Sequence, residues 1–368
     1  MSAKWNYVST EYSSTGYEDI YDILDTYTSE RYKNSSKEEQ EKMVQEVFDI
    51  YRGRDIFPIK YYSDEGVKGE IQRAVECEPY IEDNIIYGRT GFAGLCTFFF
   101  PNFYDAYNIH GMSGGNYQSG RYKFYTDEFF KRVIRFAIKS NGTAKPEGIM
   151  AGMRQVGSLP TNFSPMRAKA VYEKYCPDNG VIWDYSCGYG GRLLGCLTSK
   201  KNFTYIGTEP NTETYDNLIK FGNKIEEVLG RSNSFRIIKQ GSEVVKLKDE
   251  IFDFAFSSPP YFDLEHYSDE STQCYNKFKD IYSWIDGYVK ETIHNIYKYL
   301  KHDRYYAVNI ADFSDGVKLV NYVDIWKDIS IKEGFKFHEE IYLKLNAPCG
   351  NGERKKSKKE RVMVFYKE

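Results

Sequence analysis

Ser258-Pro259-Pro260-Tyr261 closes the apolar run Ile251-Phe-Asp-Phe-Ala-Phe256. Two consecutive prolines cannot extend a sheet ladder, and Pro260 biases Pro259 toward extended backbone. The turn that follows offers a hydroxyl, a free carbonyl and an aromatic ring at the end of a strand. Those groups suit a flat heterocycle carrying an exocyclic amine.

A second constellation precedes it. Val181-Ile-Trp-Asp184 reads as a strand that turns through Tyr185-Ser186-Cys187-Gly188-Tyr189-Gly190-Gly191 into a helix. Glycines let backbone amides approach a ligand, and a helix start favours negative groups. Glu209 ends the next strand, 25 residues after Asp184. An acid at that station accepts hydrogen bonds from both hydroxyls of a ribose. Ser242 and Glu243 follow a third strand, where they face either a ligand or solvent. Asn309, ending the fifth strand, either lines the base pocket or caps the next segment.

These stations need a scaffold that brings strand ends to one side. From Val181 onward, β-rich runs at 181–184, 203–207, 235–238, 252–256 and 305–310 alternate with helical patterns near 191, 212–229, 278–300 and 316–332. Such alternation predicts a mostly parallel sheet with helices on both faces. Two last strands, near 338–345 and 361–367, are joined by a single loop and can pair antiparallel. Upstream, Ser36 and Glu39 form a capping box for a helix to about Arg52, with Met43, Val44, Val47, Phe48, Ile50 and Tyr51 as its apolar stripe. Thr126 caps another helix to about Ser140, and residues 101–125 read as a long surface loop.

The 368 residues suffice for two domains. A net charge of −3 means that any nucleic-acid contact comes from local patches. Seven cysteines without a CxxC pair, and five histidines without ligand spacing, argue for a reducing compartment and against a disulfide framework or a metal site. The first 19 residues lack an apolar signal region and no run approaches a membrane span, so a soluble, cytoplasmic protein with no membrane partner is expected.

Asp184-Tyr-Ser-Cys-Gly-Tyr-Gly-Gly191 together with Ser258-Pro-Pro-Tyr261 resembles the fingerprint of the AdoMet-dependent DNA amino-methyltransferases, which methylate adenine N6 or cytosine N4. Asn162-Phe163-Ser-Pro165 resembles a third family element, whose aromatic packs near the methionine end of the cofactor. The resemblance covers about 160–368. It implies a Rossmann-like class I methyltransferase fold with a seven-stranded, mostly parallel sheet, S-adenosyl-L-methionine as cofactor, and duplex DNA with a flipped base as substrate. It makes Ser258, Pro259, Pro260 and Tyr261 catalytic. Phe163, Asp184, Ser186, Cys187, Gly188, Gly190, Glu209 and Ser242 become cofactor residues. Ser in place of Asp at position 258 favours cytosine N4 over adenine N6.

The family's target-recognition domain has no room after Tyr261, so residues 1–155, a largely helical N-terminal domain, are the candidate for DNA recognition beside a methyltransferase domain at 156–368. Phosphate contacts are expected from Glu353-Arg-Lys-Lys-Ser-Lys-Lys-Glu-Arg361, and less so from the stripe Lys131, Arg135 and Lys139. A cognate restriction nuclease is a candidate partner. The alternatives are the same chemistry on RNA or on a protein glutamine, and a non-catalytic DNA-binding protein on the same fold. The sequence leaves oligomeric state and recognition site open.

Overall fold

A computed structural model describes residues 17–88, 91–108, 118–156, 161–248, 250–262, 264–314, 319–344 and 359–368. The chain divides into two compact units, residues 1–63 with 120–159, and residues 64–119 with 160–368. This grouping differs from a single cut at 155/156.

The first unit is helical. Its helix Lys37–Gly53 starts with the expected capping box: Ser36 Oγ accepts from Glu39 N at 3.3 Å, and Glu39 Oε2 accepts from Ser36 N at 2.7 Å. Met43, Val44, Val47, Phe48 and Tyr51 are buried, whereas Ile50 is only half-buried. Tyr51 meets Phe130 of helix Asp127–Phe136 edge-on at 5.6 Å and donates its hydroxyl to Ala144 O at 2.8 Å. Thr126 occupies the N-cap of that second helix without a side-chain capping bond, its hydroxyl donating back to Tyr122 O at 3.1 Å, and a π-turn over Ala137–Asn141 extends the helix to Gly142 in the left-handed region.

The second unit is built on one sheet. Its strands are β1 (Tyr80–Glu82), β2 (Ile85–Tyr87), β3 (Val181–Asp184), β4 (Thr204–Thr208), β5 (Phe235–Ile238), β6 (Phe252–Ser257), β7 (Leu300–Asn309), β8 (Lys336–Lys344) and β9 (Lys359–Lys367). The spatial order is β1-β2-β8-β9-β7-β6-β3-β4-β5. Strands β7, β6, β3, β4 and β5 are mutually parallel, and β9 is antiparallel to both of its neighbours. The core is Rossmann-like, but the sheet has nine strands and mixed directions instead of the expected seven. The extra pair is a tight hairpin turning at Asp83-Asn84, both at positive φ, and its strand β2 joins β8 in parallel through Ile85 and Ile86. Three-residue strands fall below the length at which alternation is visible in a sequence.

Residues 64–119 group with this sheet for a physical reason. Lys169, 1% exposed, donates its Nζ to Ala74 O, Val75 O and Cys77 O at 2.8–3.0 Å, satisfying the last carbonyls of helix Asp64–Glu76. Phe99 and Phe100 pack on Phe221, at 4.6 and 5.9 Å between ring centroids. Helices cover both faces of the sheet. Tyr175 stacks on Phe254 and lies against Tyr305 on one face. On the other, Trp183, Tyr306, Trp284 and Trp326 share a buried cluster. Among the described residues no helix is long and apolar enough to cross a membrane.

Candidate active site

From β3 the chain winds outward through β4 to β5, then returns to β6 on the other side of β3 and winds outward to β7. The direction of winding therefore reverses between β3 and β6. In doubly wound sheets the crevice beyond the carboxyl ends of the two strands at such a reversal is where ligands bind. Here those ends are Asp184 and Ser257-Ser258.

Asp184 is fully buried and organises the crevice from beneath. Its Oδ1 accepts from Ser257 Oγ at 2.7 Å and Ser186 N at 3.2 Å; its Oδ2 accepts from Tyr205 OH at 2.6 Å and Arg192 Nε at 2.7 Å. Arg192 also donates to Ser186 O. Burial works against the Arg192 charge, but Asp184 more than compensates, and the arginine pKa is raised. The result is a fixed turn. Ser257, Tyr205 and Arg192 carry no sequence signal of this role, because each lies on a different element and is recognised only by what it meets.

A cavity of about 370 Å³ lies above this hub. Phe163, Ser186, Cys187, Gly188, Glu209 and Ser242 all line it. Asp184 and Gly190, expected among the cofactor residues, are not part of its lining. Asp184 is spent on its four donors. Gly190 is a packing glycine: at φ +72°, a Cβ there would lie 2.6 Å from Phe100 and 2.9 Å from Phe221. Gly188, at φ +57°, is different, since a Cβ would meet nothing within 4 Å. Glu209 accepts from Gly188 N at 3.2 Å with one oxygen and from Asn211 N at 2.9 Å with the other. Burial raises its pKa from the usual 4.5 to about 7, against those two N–H bonds. Phe163 meets Phe256 edge-on at 5.4 Å, and Asn162 Nδ2 ties the segment to Tyr189 O at 2.8 Å. The Ser242 hydroxyl is 2.9 Å from that of Thr292, and the Ser186 hydroxyl 3.0 Å from that of Tyr288.

Ser258, Pro259, Pro260 and Tyr261 line the same cavity. The Tyr261 ring is held in place: its hydroxyl accepts from Ala311 N at 2.8 Å, its edge meets Tyr322 at 5.2 Å, and burial pushes its pKa up. Asn309 lines the cavity and donates to Arg361 O at 2.9 Å. Two carboxyls join them. Glu265 accepts from Tyr267 OH and Glu360 lies beside Asn309; burial raises both pKa values, and both carboxyls act electrostatically on the Tyr261 hydroxyl. No sequence pattern marks Glu360, because its place depends on β9 lying beside β7. His266 is outside the cavity lining, stacked between Tyr107 and Tyr275 at 4.7 and 4.6 Å and 3.2 Å from Asp269.

Other expected contacts lie elsewhere. Arg135 is engaged by Glu41 within the first unit, with Nε 2.9 Å from Oε1. Lys131 sits over the Phe48 ring at 4.8 Å. Of the cationic run Glu353–Arg361, residues 353–358 are outside the described residues, as are Asp263 and 109–117 of the aromatic loop. Among the described residues no group of three His, Cys, Asp or Glu side chains could hold a metal.

No protein-family model and no curated protein matches the chain. Among solved structures it is similar to a methyltransferase from Pyrococcus furiosus, at 15% identity and a TM-score of 0.36 over 55% of this chain and 82% of that one. It is also similar to a TehB-like SAM-dependent methyltransferase from Corynebacterium glutamicum, at 16% identity and a TM-score of 0.34 over 60% of this chain and 97% of that one. A SAM-dependent methyltransferase from Methanosarcina mazei gives 13% and 0.38 over 54% and 96%. Likeness this slight carries no argument about chemistry, which rests on the geometry above.

Proposed function

We propose that the chain is an AdoMet-dependent methyltransferase acting on an exocyclic amine of a flipped-out DNA base, with cytosine N4 favoured over adenine N6. One observation carries the reading. The Ser258-Pro-Pro-Tyr261 turn and the Glu209 carboxyl line a single cavity at the point where the winding of the sheet reverses.

The residues fit the cofactor. Glu209 has each oxygen pinned by a backbone N–H, leaving its remaining lone pairs for two ribose hydroxyls. Gly188 opens onto space that a side chain would fill. Ser242 stands at the adenine station and Phe163 toward the methionine end. When bound, AdoMet supplies an electrophilic methyl group on a sulfonium.

The protein's own part is positioning and electrostatics. An aromatic amine is a weak nucleophile because its lone pair is delocalised into the ring. Ser258 Oγ and the Pro259 carbonyl accept its N–H bonds, which localises the lone pair and aims it. Tyr261 is locked by Ala311 and Tyr322, so a stacked base meets a ring whose freedom is already spent. Flipping the base out of the duplex is what admits it to an enclosed site. The amine loses a proton after transfer, and Glu265 and Glu360 are two of the carboxyls lining this cavity, besides Glu209 and Glu243.

Nucleoside mass spectrometry on duplex DNA incubated with protein and AdoMet tests the reading. N4-methylcytosine is expected, and N6-methyladenine would change only the base. Ser258→Ala is expected to keep cofactor binding and to slow methylation by about 100-fold, the scale of losing one aimed hydrogen-bonding group. Unmodified DNA with modified RNA or protein glutamine would move the same chemistry to another polymer. Cofactor binding without transfer to any of them would leave a binding protein.

A further inference from the structure

The stretch after the Ser-Pro-Pro-Tyr turn, residues 268–277, crosses the cavity wall as a strap. It is tied to residues that follow Glu209: Asn211 Nδ2 donates to Ser268 Oγ at 2.7 Å, and Thr212 N donates to the Glu270 carboxylate at 3.0 Å. At its far end Lys277 pairs with Glu243, next to Ser242. Its own turn is closed by Gln273 N to Glu270 O at 3.1 Å and Asn276 Nδ2 to Glu270 O at 2.9 Å. The strap thus runs between the acid at the ribose station and the residues at the adenine station.

Gln273 sits on this strap, 6% exposed, and lines the cavity. Its Nε2 is buried without a hydrogen-bond partner. A buried amide N–H left unpaired is costly, and the side chain that carries this one lines the cavity, with no acceptor for it among the described residues. A carboxamide nitrogen only donates, so its partner must be an acceptor. Glu209 offers ribose hydroxyl protons an acceptor, whereas the oxygens and ring nitrogens of an adenosine need donors, which a carboxamide N–H supplies. The sulfonium, being cationic, is excluded as the partner of an N–H.

We propose that Gln273 is a further cofactor-binding residue, donating from its carboxamide to an acceptor atom of the adenosine moiety. This rests on the cavity holding AdoMet. It also makes the strap a structural link, because Glu265, three residues before the strap begins, lines the cavity as well.

Calorimetric titration with S-adenosylhomocysteine tests this without any methyl acceptor. Gln273→Ala is expected to weaken binding about tenfold, the equivalent of one hydrogen bond lost with its donor. Gln273→Glu keeps the shape but presents an acceptor to an acceptor, so it is expected to weaken binding more; it carries the test alone should the alanine variant not fold. Analogues lacking one acceptor (3-deaza, 7-deaza, 2′-deoxy) identify the atom: one of them is expected to lose affinity for the wild type and not for Gln273→Ala. Folded variants that bind S-adenosylhomocysteine as tightly as the wild type would overturn the assignment of Gln273 alone. A wild-type protein that does not bind it would overturn the cofactor reading of the cavity itself.

Discussion

Glu209 is the residue whose chemistry makes the sharpest demand on conditions. Its pKa of about 7 lies above the usual 4.5, so between those values the folded protein holds a proton that the unfolded chain has released. Stability without ligand is therefore greatest below that window and declines as pH rises through it, because stability follows the state that binds more protons. Ligand affinity runs the other way. On the proposed cofactor reading two ribose hydroxyls donate to the ionised carboxyl, so S-adenosylhomocysteine is expected to bind more tightly as pH rises through about 7, and Glu209→Gln to bind weakly with no such dependence. Titrations from acid to mildly alkaline pH check this, and a wild-type affinity that does not change across neutrality would remove Glu209 from the ribose contact.

At the scale of elements, the turn after β3 is held by contacts that reach across the sheet. Asp184 joins its own strand to β4 through Tyr205, to β6 through Ser257 and to helix Gly191–Leu197 through Arg192. Removing one partner of a buried charge pair strands the other, at a cost of about 3–5 kcal/mol. Asp184→Asn keeps the shape while leaving the Arg192 guanidinium uncompensated. A loss of that size in urea unfolding is expected, along with loss of cofactor binding as the turn loosens. A variant as stable as the wild type would show that the pair contributes little beyond its own desolvation. The same elements explain why Gly188 and Gly190 differ: Gly190 makes room for Phe100 and Phe221, whereas Gly188 opens onto the cavity.

Across the whole molecule, each of the two units is assembled from two separate stretches of chain, so both depend on contacts distant in sequence. Such topologies fold slowly because loops close before their contacts stabilise them. With a net charge of −3, overall field does not draw the protein to DNA. If duplex DNA is the substrate, affinity comes from a local set of phosphate contacts, of which Arg354, Lys355, Lys356 and Lys358 are the densest in the sequence. Replacing Lys355 and Lys356 by Ala is expected to make the log–log dependence of DNA affinity on salt shallower by about 1.8, at about 0.9 per phosphate contact. Unchanged salt dependence in fluorescence titrations would place the contacts elsewhere. In the first unit, Arg135 is already neutralised by Glu41, which weakens the case for its helix.

What the sequence determined by itself was whatever local physics decides. The seven main-sheet strands from 181 onward were legible because β-rich runs alternate with helical periodicity, the helix at Lys37 because Ser36 and Glu39 make reciprocal bonds three residues apart, and the Ser-Pro-Pro-Tyr turn because two prolines end a ladder wherever they occur. The tertiary structure decided what depends on distant partners. Ser257 meets Asp184 across 73 positions, and Lys169 reaches Ala74 across 95. Whether a polar residue lines a cavity or braces it from beneath depends on such meetings, so Asp184 became a hub and Gln273 a wall residue. No spacing in the chain could show either, since burial and pairing are properties of the packed sheet and not of any one segment.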